Sequence, residues 1–269
     1  MIYQGDCLDI LPELEKETVQ TVVTSPPYWG LRDYESTKQL GQEELPEEFI
    51  EKLVHIFSLV GEVLKKDGTL WINLGDTYYG AKGGHYDKNS ITNDETGTKY
   101  REKRKAPPKH EYIKTGDMVG VPWKFAIAMQ KQGWYLRNDI IWHKPNPMPE
   151  AVNSRLCKSH EHIFLFTKIQ SGYYFNADAI KTNDVRKTDV WTLNTSTYRG
   201  AHFAVFPNQI PKICIKAGSS EGDVVFDPFM GSGTTAYVAQ RLSRKWMGIE
   251  LNPEYVKLIK QRTQQQELF

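Results

Sequence analysis

The segment that most constrains the fold is DVVFDPFMGSGTTAYVA at 223–239, where a buried strand runs into a glycine-rich turn that opens a helix. Gly231 and Gly233 permit a sharp turn and close approach of the backbone, and the start of the helix presents free N–H groups. A second strand-like run, KWMGIE, follows at 245–250. A strand–turn–helix–strand unit of this kind predicts a parallel sheet. The turn alone is as typical of a tight strand–helix connection as of a ligand site.

The charges around the turn narrow the kind of ligand it could hold. Glu250 lies 17 residues after Gly233, where a carboxylate can accept hydrogen bonds from a ribose. The spacing fits the loose dinucleotide fingerprint with Ala236 in third place, and no lysine follows the second glycine as in a phosphate-binding P-loop. Asp227 at the strand tip would repel a pyrophosphate and attract an amine. A ligand with a ribose and a cationic amine, such as S-adenosylmethionine, therefore fits better than a dinucleotide.

The rest of the chain alternates between strand-like and helix-like runs, which predicts a doubly wound, mostly parallel α/β sheet in one domain of residues 1–269. The expected helices are 46–66, 121–132, 233–243 and one from about 252, the first closed by Lys65, Lys66 and Gly68. The expected strands are 1–4, 19–24, 69–74, 135–142, 161–168, 223–227 and 245–250.

Composition and charge exclude several classes of protein. With 39% hydrophobic and 25% charged residues the chain is globular, and no secretory or membrane-spanning segment is expected. Cys7, Cys157 and Cys214 are scattered, which predicts a reducing cytoplasm and neither a disulfide framework nor a metal site. The net charge is only +1, yet 99–114 has seven basic and two acidic residues. This segment is either a solvated loop or a surface for a polyanion.

A second motif, TSPPYWG at 24–30, follows the predicted strand 19–24 directly. Its two prolines hold the backbone extended and fix the directions of the carbonyl groups. The Ser25 hydroxyl and those carbonyls can accept hydrogen bonds from a planar amine whose ring stacks on Tyr28. If strands 19–24 and 223–227 are neighbours where the strand order reverses, both motifs open into one crevice.

Together, FDPFMGSGTT and TSPPYWG resemble the amino-DNA methyltransferases, which methylate exocyclic amines of DNA bases with S-adenosylmethionine. The order of the motifs resembles the circularly permuted beta group of that family. The resemblance implies a Rossmann-like methyltransferase fold with a seven-stranded sheet and inserted DNA-recognition loops. It runs along most of the chain and includes GDCLDIL at 5–11, LWINLGD at 70–76, IIWHKPNPMPE at 140–150 and GIELNPEYV at 248–256.

The resemblance also implies roles for individual residues. The target amine is held by a catalytic set: Ser25, Pro26, Pro27 and Tyr28. The cofactor is bound by a second set: Asp6, Cys7, Phe206, Pro207, Asp227, Phe229, Gly231, Ser232, Gly233 and Glu250. Serine at the head of the first motif favours cytosine N4 as the target, with adenine N6 as the alternative. A nicotinamide-dependent oxidoreductase is a more distant alternative, which leaves TSPPYWG unexplained.

Double-stranded DNA is the expected partner, because the target amine is hidden in the duplex and the base must be flipped out. We expect DNA to be contacted by an inserted basic loop at 77–118 and a small target-recognition segment at 171–205. The candidate contact residues are Arg101, Lys103, Arg104, Lys105, Lys144, Arg155, Lys158, Arg186 and Arg199. A cognate restriction endonuclease as partner, and the choice between monomer and homodimer, stay open.

Overall fold

A computed structural model describes residues 1–30, 39–80, 92–93, 99–100, 108–147, 149–150, 152–195 and 206–264. The strands are β1 (Ile2–Gln4), β2 (Val19–Thr24), β3 (Leu64–Leu74), β4 (Thr92–Asn93), β5 (Lys99–Tyr100), β6 (Tyr135–His143), β7 (His160–Thr167), β8 (Val190–Thr192), β9 (Val224–Asp227) and β10 (Lys245–Glu250). The helices are α1 (Cys7–Ile10), α2 (Pro46–Val63), α3 (Val121–Lys131), α4 (Gln209–Gly218), α5 (Thr234–Arg241) and α6 (Pro253–Gln264), with short 3₁₀ turns at Leu11–Glu13 and Asp178–Ile180.

Eight of these strands form one sheet in the order β1-β10-β9-β2-β3-β7-β6-β8, and β4 pairs with β5 separately. Every neighbour pair from β1 to β3 is parallel, β7 is antiparallel to β3 and β6, and β8 is parallel to β6. The strands β2, β3, β9 and β10 therefore all end at one edge of the sheet, and β7 begins there. We call this edge the catalytic edge.

Helices cover both faces of the sheet. One face packs against α2 and α3, whose apolar stripes include the buried Phe49, Leu53, Phe57 and Phe125. The other packs against α4 and α5. The loop after β2 leads to α2 and the loop after β9 leads to α5, on opposite faces. Because β2 and β9 are adjacent, the strand order reverses between them, and the crevice there is a ligand position for this class of sheet.

The expected α/β class and the mostly parallel, doubly wound sheet are confirmed, with local corrections. The sheet has eight strands rather than seven, because Val190–Thr192 adds a parallel edge strand held by the buried Trp191. The first long helix ends at Val63, not 66, because Leu64 already pairs with Val19 and starts β3. Lys65, Lys66 and Gly68 are therefore strand residues.

The segment 171–205, which we expected to contact DNA, begins away from the crevice. The Tyr174 N–H donates to the Asp67 carbonyl at the start of β3 (2.8 Å), and Phe175 stacks on Trp71. Residues 171–178 thus lie at the edge opposite the catalytic edge, and among the described residues of this segment those that follow β8, 193–195, lie at the catalytic edge. Within the described ranges, no helix is long and apolar enough to span a membrane.

Candidate active site

The two sequence motifs meet at the catalytic edge, as expected. Val22 of β2 pairs with Phe226 of β9, which brings the loop after each strand into one crevice. The contact is reinforced by side chains, since the Thr24 hydroxyl donates to Asp227 (2.6 Å) and the Thr235 hydroxyl donates to the Val23 carbonyl (3.1 Å). Thr24, directly before Ser25, is therefore hydrogen-bonded to Asp227, at the start of the glycine-rich turn.

In the first motif, Pro26 is buried while Ser25, Pro27 and Tyr28 are half-buried. The Ser25 hydroxyl donates to the Tyr28 hydroxyl over a long 3.4 Å, and the Tyr28 hydroxyl donates to Glu161 at 2.6 Å. Burial and the Glu161 charge raise the pKa of Tyr28 well above its usual value. Tyr28 is therefore a protonated hydrogen-bond donor at neutral pH, and it keeps a neutral aromatic ring in the crevice.

Three residues of this site were missed by sequence reasoning: Asn73, Gly75 and Glu161. Asn73, at the end of β3, donates through Nδ2 to the Tyr28 hydroxyl and to Glu161 (2.6 Å). A Cβ on Gly75 would lie 2.8 Å from Tyr28 Cε2, so glycine leaves room for the ring. The sequence marks Glu161 only as an acid at the start of a strand. Its position becomes evident once β7 is known to be antiparallel, because that direction brings its start to the catalytic edge.

Lys144 completes this polar cluster. Its ammonium forms an ion pair with Glu161 and lies 4.5 Å from the centre of the Trp142 ring. Although we expected Lys144 to contact DNA, the structure engages it beside Tyr28, where it balances the charge of a half-buried carboxylate.

In the second motif, Gly231 and Gly233 adopt left-handed backbone conformations, with φ of 53° and 79°. At Gly233 a Cβ would also lie 3.0 Å from Ile259 of α6, so both conformation and packing require glycine there. Gly233 caps α5 without a side-chain hydrogen bond. The buried Ser232 hydroxyl has no partner among the described residues. The turn therefore presents polar groups that a ligand could satisfy.

Glu250 stands at the end of β10 beside this turn. Its two carboxylate oxygens accept hydrogen bonds from the Gly231 N–H (2.7 Å) and the Asn252 N–H (2.8 Å). Burial raises its pKa from 4.5 to about 7 in spite of these donors. Each oxygen keeps further acceptor capacity for a diol.

The structure assigns Asp227 a different environment from the expected one. Its carboxylate accepts hydrogen bonds from Thr24, Thr235 (2.8 Å) and the Phe229 N–H (3.0 Å), and the residue is only 1% exposed. Burial raises its pKa from 3.8 to about 6. Asp227 therefore ties β2, the turn and α5 together, and its carboxylate is enclosed by the protein instead of open to a ligand amine.

The remaining predicted cofactor residues flank the turn. The Gly5 N–H donates to the Glu250 carbonyl (3.0 Å), which places Asp6 and Cys7 beside Glu250. One Asp6 oxygen caps α1 through the Leu8 N–H (2.9 Å). On the other side, Arg262 donates to the Ser232 carbonyl (3.1 Å) and to Asn208 (3.3 Å).

Arg262 therefore holds residues 206–208 against the turn. Of these residues, Phe206 is half-buried and packs on the α4–α5 side of the core, and Pro207 is buried. Phe229 stacks edge-on against Phe57, so the turn also contacts the α2 side of the core. The predicted cofactor residues thus form one connected wall of the crevice.

The candidate DNA contacts divide into three groups. Arg155 and Lys158 lie at the catalytic edge, where both cations face the Tyr78 ring. Arg155 Cζ is 3.7 Å and Lys158 Nζ is 5.4 Å from the centre of that ring. Arg186 is exposed and lies near Asp178, away from Tyr28. The other five residues, Arg101, Lys103, Arg104, Lys105 and Arg199, are outside the described residues, as is most of the 77–118 loop.

Comparison with known proteins identifies the family. The DNA methylase family matches residues 19–261, which is most of the chain. The chain belongs to the DNA methylase family. This DNA methylase is 45% identical to the Type II methyltransferase M.SmaI of Serratia marcescens, over 97% of this chain and 89% of that protein. It is 43% identical to the Type II methyltransferase M.Cfr9I of Citrobacter freundii, over 98% and 87%.

Solved structures support the fold of this DNA methylase. The PvuII DNA methyltransferase (cytosine-N4-specific) has a TM-score of 0.73 and 24% identity, covering 97% of this chain and 85% of that one. TTHA0409 of Thermus thermophilus, solved with S-adenosyl-L-methionine, has a TM-score of 0.67 and 24% identity, covering 98% and 93%. The DNA methylase family and the Type II methyltransferase relatives confirm the expected methyltransferase activity on DNA and, with it, the cofactor S-adenosyl-L-methionine. The oxidoreductase alternative is wrong.

The crevice fits this cofactor. Glu250 offers acceptors to ribose hydroxyls, and the buried Ser232 hydroxyl with the start of α5 suits the carboxylate of its methionine part. When bound, the cofactor supplies an electrophilic methyl group on a sulfonium. The Asp227 carboxylate is 1% exposed and already accepts protein hydrogen bonds, so its binding of the cofactor amine stays a prediction.

We expect the affinity for cofactor to depend on the ionisation of Glu250. The ribose hydroxyls bind the ionised carboxylate more strongly, and the pKa of Glu250 is about 7, so affinity should fall as the pH drops from 8 to 6. Below the pKa the limiting loss is about tenfold per pH unit. Glu250→Gln should lose about 10–150-fold in affinity, because charge-assisted hydrogen bonds contribute ~1.5–3 kcal/mol. Its remaining affinity should vary less with pH than that of the wild type.

Isothermal titration with S-adenosylhomocysteine at pH 6, 7 and 8 measures both effects. Glu254→Gln is the matched control, because Glu254 is an exposed carboxylate on α6 paired with Lys257. Equal affinity of wild type and Glu250→Gln at pH 8 would remove Glu250 from the cofactor site.

Proposed function

We propose that this chain is a site-specific DNA methyltransferase that transfers a methyl group to the exocyclic N4 amine of cytosine in double-stranded DNA. The observation that carries the proposal is the position of the Ser25–Tyr28 motif. It lies across the strand-order reversal from the glycine-rich turn, with hydroxyl and carbonyl acceptors where an amine could meet the methyl donor.

The proposed site is built to make a poor nucleophile attack. The lone pair of a cytosine amine is delocalised into the ring. Hydrogen bonds from the amine to the Ser25 hydroxyl and the Pro26 carbonyl would favour a pyramidal nitrogen with its lone pair directed at the methyl group. These acceptors are preorganised by the two prolines, so the reduction in barrier comes from positioning and electrostatics. Transfer is in line, without a covalent enzyme intermediate.

Tyr28 supplies the surface for the flipped base in this proposal. Positive charge that develops on the amine would face the neutral ring in a cation–π arrangement contributing ~0.5–2 kcal/mol. The buried Oδ1 of Asn73, next to Tyr28, has no hydrogen-bond partner among the described residues. A buried acceptor without a donor is unusual in a folded protein, and a base amine could satisfy it.

The choice of cytosine over adenine rests on Ser25. In the amino-DNA methyltransferases that this sequence resembles, serine at the head of the motif is more typical of N4-cytosine enzymes, and aspartate or asparagine of N6-adenine enzymes. The relatives M.SmaI and M.Cfr9I are Type II methyltransferases, which supports placing this chain in the same class.

The test is to express the chain in cells whose DNA lacks both modifications, and to digest the DNA to nucleosides for mass spectrometry. N4-methylcytosine is the expected product. N6-methyladenine alone would replace the proposed base with the alternative. Sequencing that resolves the modified positions would then identify the recognised site.

We also propose that the basic segment 99–114 holds the DNA backbone beside the site. Both ends of the 77–118 loop are at the catalytic edge, since Tyr78 pairs with Met118 and the Tyr79 N–H donates to the Asp117 carbonyl (2.8 Å). A duplex whose flipped base reaches Tyr28 must pass this edge. Each lysine or arginine that neutralises a phosphate should add ~0.9 to the slope of log affinity against log salt.

Four alanine substitutions made together test whether the basic segment contacts the DNA backbone. They are Arg101→Ala, Lys103→Ala, Arg104→Ala and Lys105→Ala. We expect DNA binding to weaken for all sequences, the salt slope to flatten by up to about 3.6, and cofactor binding to be unchanged. Fluorescence anisotropy at several salt concentrations measures this.

A control variant with the same change in charge removes four exposed cations from the opposite edge. They are Lys66, Lys131, Arg241 and Lys245. If the two variants lose affinity and salt slope equally, net charge explains the effect and the basic segment has no specific part in DNA binding.

A further inference from the structure

Four polar side chains form a directed chain of hydrogen bonds in the active site. The Ser25 hydroxyl donates to the Tyr28 hydroxyl (3.4 Å), which donates to Glu161 Oε2 (2.6 Å). Asn73 donates to both the Tyr28 hydroxyl and Glu161 Oε2. Every proton in this chain points towards Glu161, so a lone pair of Ser25 stays open to accept a further proton.

Neighbouring side chains make Glu161 the final acceptor of this series of hydrogen bonds. Its side chain is only 15% exposed, and its second oxygen is paired with Lys144. Asn73 is 2% exposed and can only donate towards Glu161, because the reverse orientation of its amide would bring two acceptor oxygens together. The Ser25–Tyr28 distance is long, and such contacts often shorten when substrate binds.

We propose that Glu161 receives the proton that the target amine loses, through Ser25 and Tyr28. This proposal rests on the function proposed above, in that it needs an exocyclic amine at Ser25. Glu161 does not touch the substrate and acts only through the two hydroxyl groups.

The amine nitrogen forms a bond to the methyl carbon, and the bond from that carbon to sulfur breaks with its electron pair left on sulfur. One amine proton moves to Ser25 Oγ, the Ser25 proton moves to the Tyr28 oxygen, and the Tyr28 proton moves to Glu161 Oε2. The amine ends neutral and methylated, and Glu161 ends as a carboxylic acid that returns its proton to water after product leaves.

A methylated amine of this type is a strong acid, so a hydroxyl backed by a carboxylate is a sufficient acceptor. Lys144 and Asn73 both donate to Glu161, so its two carboxylate oxygens are held in position before the transfer. The arrangement also explains why a carboxylate is placed against a tyrosine that never needs to ionise.

The test is a double-mutant cycle on the single-turnover rate of methyl transfer at saturating DNA and cofactor. Tyr28→Phe keeps the ring and removes the relay hydroxyl, and Glu161→Gln keeps the shape and removes the acceptor. Each should lower the rate by about 100-fold, the size of a general acid–base contribution. The double variant should be no slower than either single variant, because the two residues act as one unit. Affinities for DNA and cofactor should stay near wild type.

Glu161→Asp keeps a carboxylate and should recover part of the rate, which shows that the loss in Glu161→Gln is not a folding defect. Asp139→Asn is the matched control, since Asp139 pairs with His162 (2.8 Å) between the same two strands but on the opposite face of the sheet. A Glu161→Gln rate within about threefold of wild type, or losses that multiply in the double variant, would overturn the relay.

Failure of the proton relay and failure of the proposed cytosine specificity would give different experimental results. A wild-type enzyme that methylates adenine instead of cytosine would change the proposed base and leave the relay testable in the same way, because the N6 amine also loses a proton.

Discussion

Tyr28→Ala and Ser25→Ala should each nearly abolish methyl transfer while leaving the affinity for S-adenosylhomocysteine unchanged. Ser25 supplies an acceptor to the amine, and loss of one preorganised hydrogen-bonding group at a reacting centre costs on the order of 10²–10³ in rate. Tyr28 supplies the stacking surface, and base–aromatic stacking contributes about 1–3 kcal/mol per base. Tyr28→Ala also breaks the contact to Glu161.

Cofactor affinity should be unchanged because the Ser25–Tyr28 motif does not contact the glycine-rich turn through the side chains of Ser25 or Tyr28. The two are connected through the backbone and Thr24. The hydroxyls of Ser25 and Tyr28 bond to each other, to Asn73 and to Glu161, all outside the glycine-rich turn. The measurements are methyl incorporation into DNA from labelled cofactor and isothermal titration with S-adenosylhomocysteine.

Tyr135→Ala is a suitable control, because Tyr135 is an exposed tyrosine at the start of β6, on the edge opposite the site. It should keep wild-type activity. If Tyr28→Ala lost cofactor affinity in parallel with activity, the separate assignment of amine and cofactor residues would be wrong.

Much of the fold could be predicted from the sequence because the strongly patterned elements are also the buried ones. Strand 19–24 is buried at every position, and the stripe Phe49, Leu53 and Phe57 is the core face of α2. Where pattern and burial separate, prediction failed. The run 64–68 is polar and glycine-containing like a helix end, yet Leu64 pairs across the sheet with Val19. The three-residue strand β8 is too short to leave a pattern.

Some residues of the candidate site could likewise be predicted from local sequence, and others could not. Residues in local motifs, such as Ser25, Tyr28, Gly233 and Glu250, could be predicted because turn chemistry and strand ends are visible in a short window. Asn73 and Glu161 could not, because each is an ordinary polar residue in its own strand. Only the order and direction of β2, β3 and β7 bring them to Tyr28.

Asp227 shows a subtler limit of sequence reasoning. Its charge at a strand tip predicted a partner for the cofactor amine, whereas its carboxylate is enclosed by Thr24, Thr235 and the Phe229 N–H. A sequence motif shows that a residue type is needed, but it does not show whether the need is for binding or for holding two loops together.

Substitutions of Asp227 separate these two roles. Asp227→Ala would leave two buried donors, the Thr24 hydroxyl and the Phe229 N–H, without an acceptor, at about 1–3 kcal/mol each, so we expect a loss of stability of several kcal/mol together with loss of activity. Asp227→Asn should be far milder. Its oxygen can still accept from Thr24 and Phe229, while its amide donates to the Thr235 hydroxyl, which keeps its own bond to the Val23 carbonyl.

The pH dependence of stability gives an independent check on the same residue. The folded protein holds the Asp227 proton up to about pH 6, whereas the unfolded carboxyl loses it near 3.8. More protons are therefore bound to the folded state between these values, and the contribution of Asp227 to the free energy of unfolding falls as the pH rises from about 4 to 6. Asp227→Asn removes the titrating group, so urea unfolding at pH 4, 5, 6 and 7 should show that variant gaining relative to wild type as the pH rises. A cofactor affinity that dropped equally in Asp227→Asn and Asp227→Ala, with stability unaffected in both, would instead mean that the carboxylate charge binds the cofactor amine directly.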